Sequence, residues 1–205
     1  MRGFISGTKE LIFDKAIDII ASVGYENMSM RDLATSADIR VASVYNHYAS
    51  KQDILDSIYD YYSEHMFDTR PPIEQSMRIF ETGTKEEAFA ALIFNFVTPD
   101  EKQYKRMLLI TKIVMMRIFC DQRANNIFLQ LNYSNPSEYV RKLLEFGISI
   151  GKIEPFDVET YANFVTGQIF FMGLKAFAGP DYAIQQLEEE KRILKMLMDF
   201  LPWKA

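Results

Sequence analysis

A single cysteine and two histidines are all that this 205-residue sequence holds of the residues that most often build disulfides, metal centres and nucleophilic relays. Cys120 has no second cysteine to pair with, so no intrachain disulfide is possible, and a reducing cytoplasm is the expected compartment. His47 and His65 both lie in the first third of the chain, and no H-E-x-x-H, C-x-x-C, Walker or Rossmann glycine pattern appears. No metal and no cofactor are expected. No apolar run approaches the ~20 residues that span a bilayer, and Met1 to Gly7 lack the apolar stretch of a signal peptide. No membrane association is expected. Positive charge is also scarce. Lys and Arg number 23 against 28 Asp and Glu, for a net charge of −5. Residues 1–65 alone carry six cations against ten acids. That balance argues against nucleic acid, so any DNA binding must rest on where a few cations sit.

What the chain does have is apolar mass at helical spacing. Hydrophobic residues make up 48% and charged residues 25%, which excludes disorder. The 16 Phe and 11 Met imply a deformable apolar interior. Apolar stripes and start signals predict helices near 8–23, 29–36, 40–48, 51–66, 72–81, 85–97, 99–119, 123–132, 136–150, 157–178 and 181–200. Thr8, Ser29, Ser50, Thr84, Thr98, Asn135, Asp157 and Asp181 are the candidate caps, and Gly24 closes the first helix. No segment alternates with the period of a strand. The predicted fold is all-α.

The first fifty residues differ in having short helices. A stop at Gly24-Tyr25 is followed by two short helices across an Ala37-Asp38-Ile39 turn and then by a long helix from Lys51. Met30, Leu33, Ala34, Ile39, Val44 and Tyr48 are spaced to bury the internal face. This is helix-turn-helix geometry, whose second helix can enter a major groove. The string Gly24-Tyr25, Ser29-Met30-Arg31-Asp32-Leu33-Ala34, Ala37-Asp38-Ile39 and Ser43-Val44-Tyr45-Asn46-His47-Tyr48-Ala49-Ser50-Lys51 resembles the signature of TetR-type (TetR/AcrR) transcriptional regulators. Asp38 stands where that pattern usually has Gly, and Arg40 where it usually has a Ser/Thr cap. Asp tolerates a left-handed backbone better than most residues.

Ser29, with the amides that start its helix, can donate to a phosphate, and Lys51 adds a full charge. Arg40, Val41, Ser43 and Asn46 face solvent on the recognition segment. Arg40 suits guanine O6/N7, Asn46 suits adenine and Val41 a thymine methyl. The resemblance implies that Tyr45, His47 and Lys51 contact the DNA backbone, and that Arg2 and Lys9 belong to an arm reaching the duplex. It further implies a DNA-binding domain over 1–50, a linking helix over 51–66, and a ligand-binding and dimerisation domain over 67–205.

In the later part, helices apolar around most of their circumference imply burial on two sides. By the resemblance, the last two long helices pair with those of a second copy, with Tyr161, Val165, Gln168, Met172, Leu187, Leu194, Leu197 and Leu201 as the expected seam. The homodimer would read double-stranded DNA bearing a palindromic operator. A Met/Phe-rich set (Phe80, Phe94, Tyr104, Met107, Met115, Phe119, Phe146 and Phe164) is the expected lining for a hydrophobic or aromatic small molecule. Gly147-Ile148-Ser149-Ile150-Gly151 matches G-x-S-x-G but is predicted to end a helix, with no histidine outside the head, so an enzyme is not expected. Three readings follow: a ligand-released repressor, a DNA-binding regulator with no small-molecule inducer, and a helical interaction protein that lost DNA binding.

Overall fold

The computed structural model writes several helix starts in side chains but not the first: Thr8 is already helical after a Gly7 N-cap with no side-chain cap bond, and Thr98 lies outside the described residues. It describes residues 7–65, 71–93, 101–175 and 180–204, with 101 and 180–187 by backbone alone. The described residues form α1 (Thr8–Val23), α2 (Met30–Ser36), α3 (Val41–Tyr45), α4 (Lys51–His65), α5 (Ile73–Thr82), α6 (Lys85–Ile93), α7 (Glu101–Arg117), α8 (Gln122–Leu129), a π turn (Gln130–Ser134), α9 (Asn135–Ser149), α10 (Val158–Lys175) and α11 (Pro180–Phe200). The fold is all-α. Among the described residues the only β pairing is an isolated bridge between Ile153 and Trp203.

The chain divides into two compact units. The first joins Met1–Asp68 to Thr98–Phe128, so α7 and nearly all of α8 pack with the N-terminal helices. Gly24, at φ +87, ends α1 by donating its N–H to the Ile20 carbonyl. Ser29 opens α2 with a capping box: its hydroxyl accepts from the Asp32 N–H at 3.1 Å, and the Asp32 carboxylate accepts from the Ser29 N–H at 3.1 Å. Ser29→Ala removes that acceptor, and urea denaturation is expected to show a loss of about 1 kcal/mol. The Ser50 hydroxyl caps α4 by accepting from the Asp53 N–H, while the Asp53 carboxylate accepts from the Ala49 N–H. The interior holds Ile12, Phe13, Ile17 and Ile20 of α1, Leu33 of α2, Val44 of α3, Ile54, Leu55, Ile58, Tyr59 and Tyr62 of α4, and Ile110, Ile113 and Val114 of α7.

The second unit joins Thr69–Val97 to Leu129–Ala205. Thr84 and Glu87 form a capping box at the start of α6, and Asp157 accepts from the Thr160 N–H at the start of α10. Asn135 does not cap. Its backbone is helical, its N–H reaches the Gln130 carbonyl, and the chain runs from the π turn into α9 without a break. Pro136, which has no N–H to give, sits just after that wider turn, where the hydrogen-bond ladder changes step. The core gathers Phe80, Ala88, Phe89, Leu92, Val140, Leu143, Leu144, Ile153, Ala162, Val165, Leu197 and Leu201. Gly147 is needed for packing there: a Cβ on it would lie 2.7 Å from Ile153 Cδ1 and 3.0 Å from Phe80 Cδ1. Ser149 is the last residue of α9 and its hydroxyl donates to the Phe146 carbonyl, so the G-x-S-x-G string is a helix end.

Candidate nucleic-acid interface

Between α2 and α3 the chain turns through Asp38 at φ +53, the left-handed conformation expected at this position. The Asp38 N–H reaches the Thr35 carbonyl and the Ile39 N–H reaches that of Ala34, so the turn is closed by backbone bonds. Arg40 is the N-cap of α3 with extended backbone and makes no side-chain cap bond. Its guanidinium is not spent on the helix start. Val44 and Tyr48 turn inward at 0% and 4% exposure. Arg40, Tyr45, Asn46 and His47 are consequently exposed, while Val41, Ser43 and Lys51 are half-buried. Residues 39–51 contain Arg40 and Lys51 and no carboxylate. Ser29 has a different part from the one expected, because its hydroxyl is engaged with Asp32 on both its donor and acceptor sides. Lys9, in the first turn of α1, lies 5.4 Å from the centroid of the Tyr48 ring, beside the end of the recognition segment. Arg2 falls outside the described residues.

A second cluster stands behind Lys51. The Lys51 ammonium donates to the Glu26 carbonyl at 3.1 Å and lies 4.3 Å from the centroid of the Tyr25 ring. The Arg117 guanidinium, from the end of α7, lies 4.8 Å from the same centroid and bonds the Glu26 carboxylate at 2.8 Å. It also faces Asp121 at 3.6 Å. Tyr25 donates to Gln52 at 3.1 Å. Asp121 accepts from the Tyr59 hydroxyl at 2.9 Å and from the N–H groups of Arg123 and Ala124. Arg123 bonds Asp56 and Asp60 on α4, and Arg106 bonds Glu10 and Asp14 on α1. Five of the ten acids of residues 1–65 are thus paired with arginines of α7 and α8.

Burial would raise the Asp121 carboxyl, but the Tyr59 hydroxyl, the two amides and Arg117 together hold it below the ordinary aspartate value. For Tyr59, burial first and the bond to Asp121 second push the hydroxyl well above the usual tyrosine range. A carboxyl depressed by folding adds stability that is complete above its unfolded value and is lost as pH falls through the folded one. Asp121→Asn is therefore expected to flatten the loss of urea resistance between about pH 5 and pH 3. Equal acid limbs for the two proteins would contradict this.

The expected ligand-lining residues are divided between the two units. Tyr104, Met107, Met115 and Phe119 belong to the first unit, and Phe80, Phe146 and Phe164 to the second. Phe94 lies outside the described residues. Phe80 is fully buried with its ring 6.0 Å from that of Trp203, and Phe146 packs on the same core. Phe119 is 93% exposed at the end of α7, and Tyr104 and Phe164 are exposed too. The second unit carries open grooves of about 360 Å³ against Met196 and Phe200 and about 530 Å³ against Tyr133, Ser137 and Asn163. None of the expected residues lines either.

The expected seam residues differ in burial. Val165, Leu197 and Leu201 are at most 2% exposed in the single chain, because they fill the core of the second unit and have no surface left to offer. Tyr161 packs on that core and donates its hydroxyl to the Leu197 carbonyl at 2.6 Å. Gln168, Met172 and Leu194 are half-buried, and the Leu187 side chain lies outside the described residues. Among the described side chains of the two helices, the exposed large apolar residues are Phe164 and Phe171 on α10 and Met196 and Phe200 on α11. Gly167, between the two α10 phenylalanines, has open space where a Cβ would stand.

Residues 12–58 match the family model of bacterial regulatory proteins, tetR family. A curated relative is the negative transcriptional regulator IcaR of the biofilm operon icaADBC in Staphylococcus aureus. It is 29% identical over 129 residues, which span 63% of this chain and 64% of that protein. Among solved structures, one described as a transcriptional regulator from Saccharomonospora viridis, in complex with choline, aligns with TM-score 0.66 at 17% identity, covering 96% of this chain and 97% of its own. The ketosteroid transcriptional regulator KstR2 of Mycobacterium tuberculosis aligns with TM-score 0.61 at 19% identity, covering 98% of both chains. At these identities the structural likenesses establish the fold.

Proposed function

We propose that this chain, whose residues 12–58 match the family model of bacterial regulatory proteins, tetR family, is a TetR-type transcriptional regulator that represses as a homodimer on a palindromic operator. The observation that carries this reading is the acid-free segment 39–51, which exposes Arg40, Tyr45, Asn46 and His47 between a closed turn and a capped helix. Arg40 and Asn46 are the base readers, with Val41 and Ser43 beside them. Tyr45, His47 and Lys51 hold the phosphates. Repression, rather than activation, follows the sign of IcaR, a negative regulator. The head is residues 1–50, the linking helix 51–66, and the ligand and dimer region 67–205. The setting is the cytoplasm; among the described residues no helix is long and apolar enough to cross a membrane.

A second copy seats on the outward face of Phe164, Gly167, Phe171, Met196 and Phe200. A mid-helix glycine costs about 1 kcal/mol relative to alanine, and open space over it suits the close approach of another helix. This seam lies beside, and not on, the stripe expected from sequence on α10.

A small apolar or aromatic molecule releases the operator by binding better to a form whose heads are wrongly spaced. Two buried polar atoms of α10 without hydrogen-bond partners, Thr166 Oγ1 and Gln168 Nε2, support a ligand that also carries a polar group. Selection from a randomised duplex pool, followed by gel shift across a salt series, tests the reading. A palindromic consensus with a modest negative salt slope is expected; a slope near zero, or no selected sequence, contradicts it.

A further inference from the structure

The deepest feature of the DNA-facing side that no recognition pattern contains is the Arg117 cluster. We propose that Arg117, at the end of α7, is a positioning residue for the Lys51 ammonium, acting through Tyr25 and Glu26. The inference rests on the DNA-binding reading and names a part of the machinery that the head does not contain.

Lys51 begins α4, where the free N–H groups already supply positive potential and a lysine is mildly disfavoured. It is held there by two things from the α1–α2 turn: the Glu26 carbonyl at 3.1 Å and the Tyr25 ring at 4.3 Å. An ammonium has three N–H donors, so one bond to Glu26 leaves two for a phosphate. What holds the turn is Arg117. Its side chain is only 16% exposed, it bonds the Glu26 carboxylate at 2.8 Å, and it lies over the same Tyr25 ring at 4.8 Å. The Glu26 side chain is 77% exposed, so without Arg117 it is free to swing. A free carboxylate beside Lys51 would compete with the DNA phosphate for the ammonium. Arg117 thus does two jobs at once: it occupies that acid, and it keeps the aromatic platform in register. Asp121, fixed in turn by Tyr59 and two backbone amides, faces the guanidinium from the other end of the α7–α8 corner.

The test uses the full-length protein and the duplex that the wild-type protein selects from a randomised pool. Lys51→Ala is expected to weaken binding about 30-fold and Arg117→Gln about tenfold, and each to make the salt slope shallower by about 0.9 per phosphate lost. In the Lys51→Ala background, Arg117→Gln should cost less than about twofold, because the group it positions is gone. Arg117→Lys, which keeps a cation for Glu26, should restore binding to within about threefold of wild type. Full additivity with Lys51→Ala, or an unchanged salt slope, overturns the inference. If Arg117→Gln melts out, Tyr25→Leu carries the same non-additivity test without touching the Arg117–Glu26 pair. If the wild-type protein selects no duplex, the DNA-binding reading itself fails; if it selects one and the variants add, only the positioning role fails.

Discussion

Replacing Tyr45 and Lys51 together by alanine is expected to lower affinity for the selected operator about a thousandfold while leaving the melting midpoint within about 2 °C of wild type. The size follows from symmetry. Each side chain supplies one phosphate contact of about 1 kcal/mol net, more for the charged one, and a two-fold protein loses each twice. Four such losses sum to roughly 4 kcal/mol, and 1.4 kcal/mol is a factor of ten. The stability side follows from exposure. Tyr45 is 53% exposed and Lys51 half-buried, so neither fills the core that Val44, Tyr48 and Ile54 make. Gel shift with the selected duplex and a thermal melt check both halves. Unchanged affinity would remove the recognition segment from the DNA surface.

A comparable effect is expected from two substitutions in the second unit. Phe164→Glu combined with Phe200→Glu should convert the dimer to a monomer and reduce operator binding to the nonspecific level. Phe164 is 58% and Phe200 69% exposed in the single chain, so a carboxylate at either place disturbs little of the fold. In an interface each phenylalanine buries apolar area worth about 1.5–3 kcal/mol. Two per copy, lost from both copies and replaced by like charges, raise the dimer dissociation constant by more than about four decades. Sedimentation equilibrium reads the mass directly. Substituting Val165 or Leu201 gives the contrasting result, because both lie inside the core: Val165→Ala or Leu201→Ala should lower the urea midpoint first.

Several helix boundaries were legible because their signals are local. Ser29 with Asp32, Ser50 with Asp53, Thr84 with Glu87 and Gly24 all act within a few residues, and the structure uses each as a helix boundary. Asp38 takes the left-handed turn. Other features are written at distances that periodicity does not carry. Arg106 meets Glu10 and Asp14, and Arg117 meets Glu26, across more than ninety residues of chain. No spacing rule announces such pairs, so the acidic balance of residues 1–65 looked like an obstacle to DNA binding that α7 and α8 in part offset. The facing of α10 was hidden for a different reason. Phe164 and Val165 are neighbours, both apolar, on a helix that is apolar nearly all round, and only packing decides which turns inward. Asn135 and Pro136 read as a helix start, but the π turn before them replaced a cap with a change in hydrogen-bond step.

Hydroxyl-radical footprinting of the selected operator, with the mass of the complex measured on the same sample, tests most directly whether two copies of this chain place paired recognition segments on one duplex. Two protected half-sites about 34–36 Å apart on one face, in a complex of two chains per duplex, are the predicted result. A single protected segment in a complex of one chain, or no protection at protein concentrations that saturate the gel shift, would contradict it.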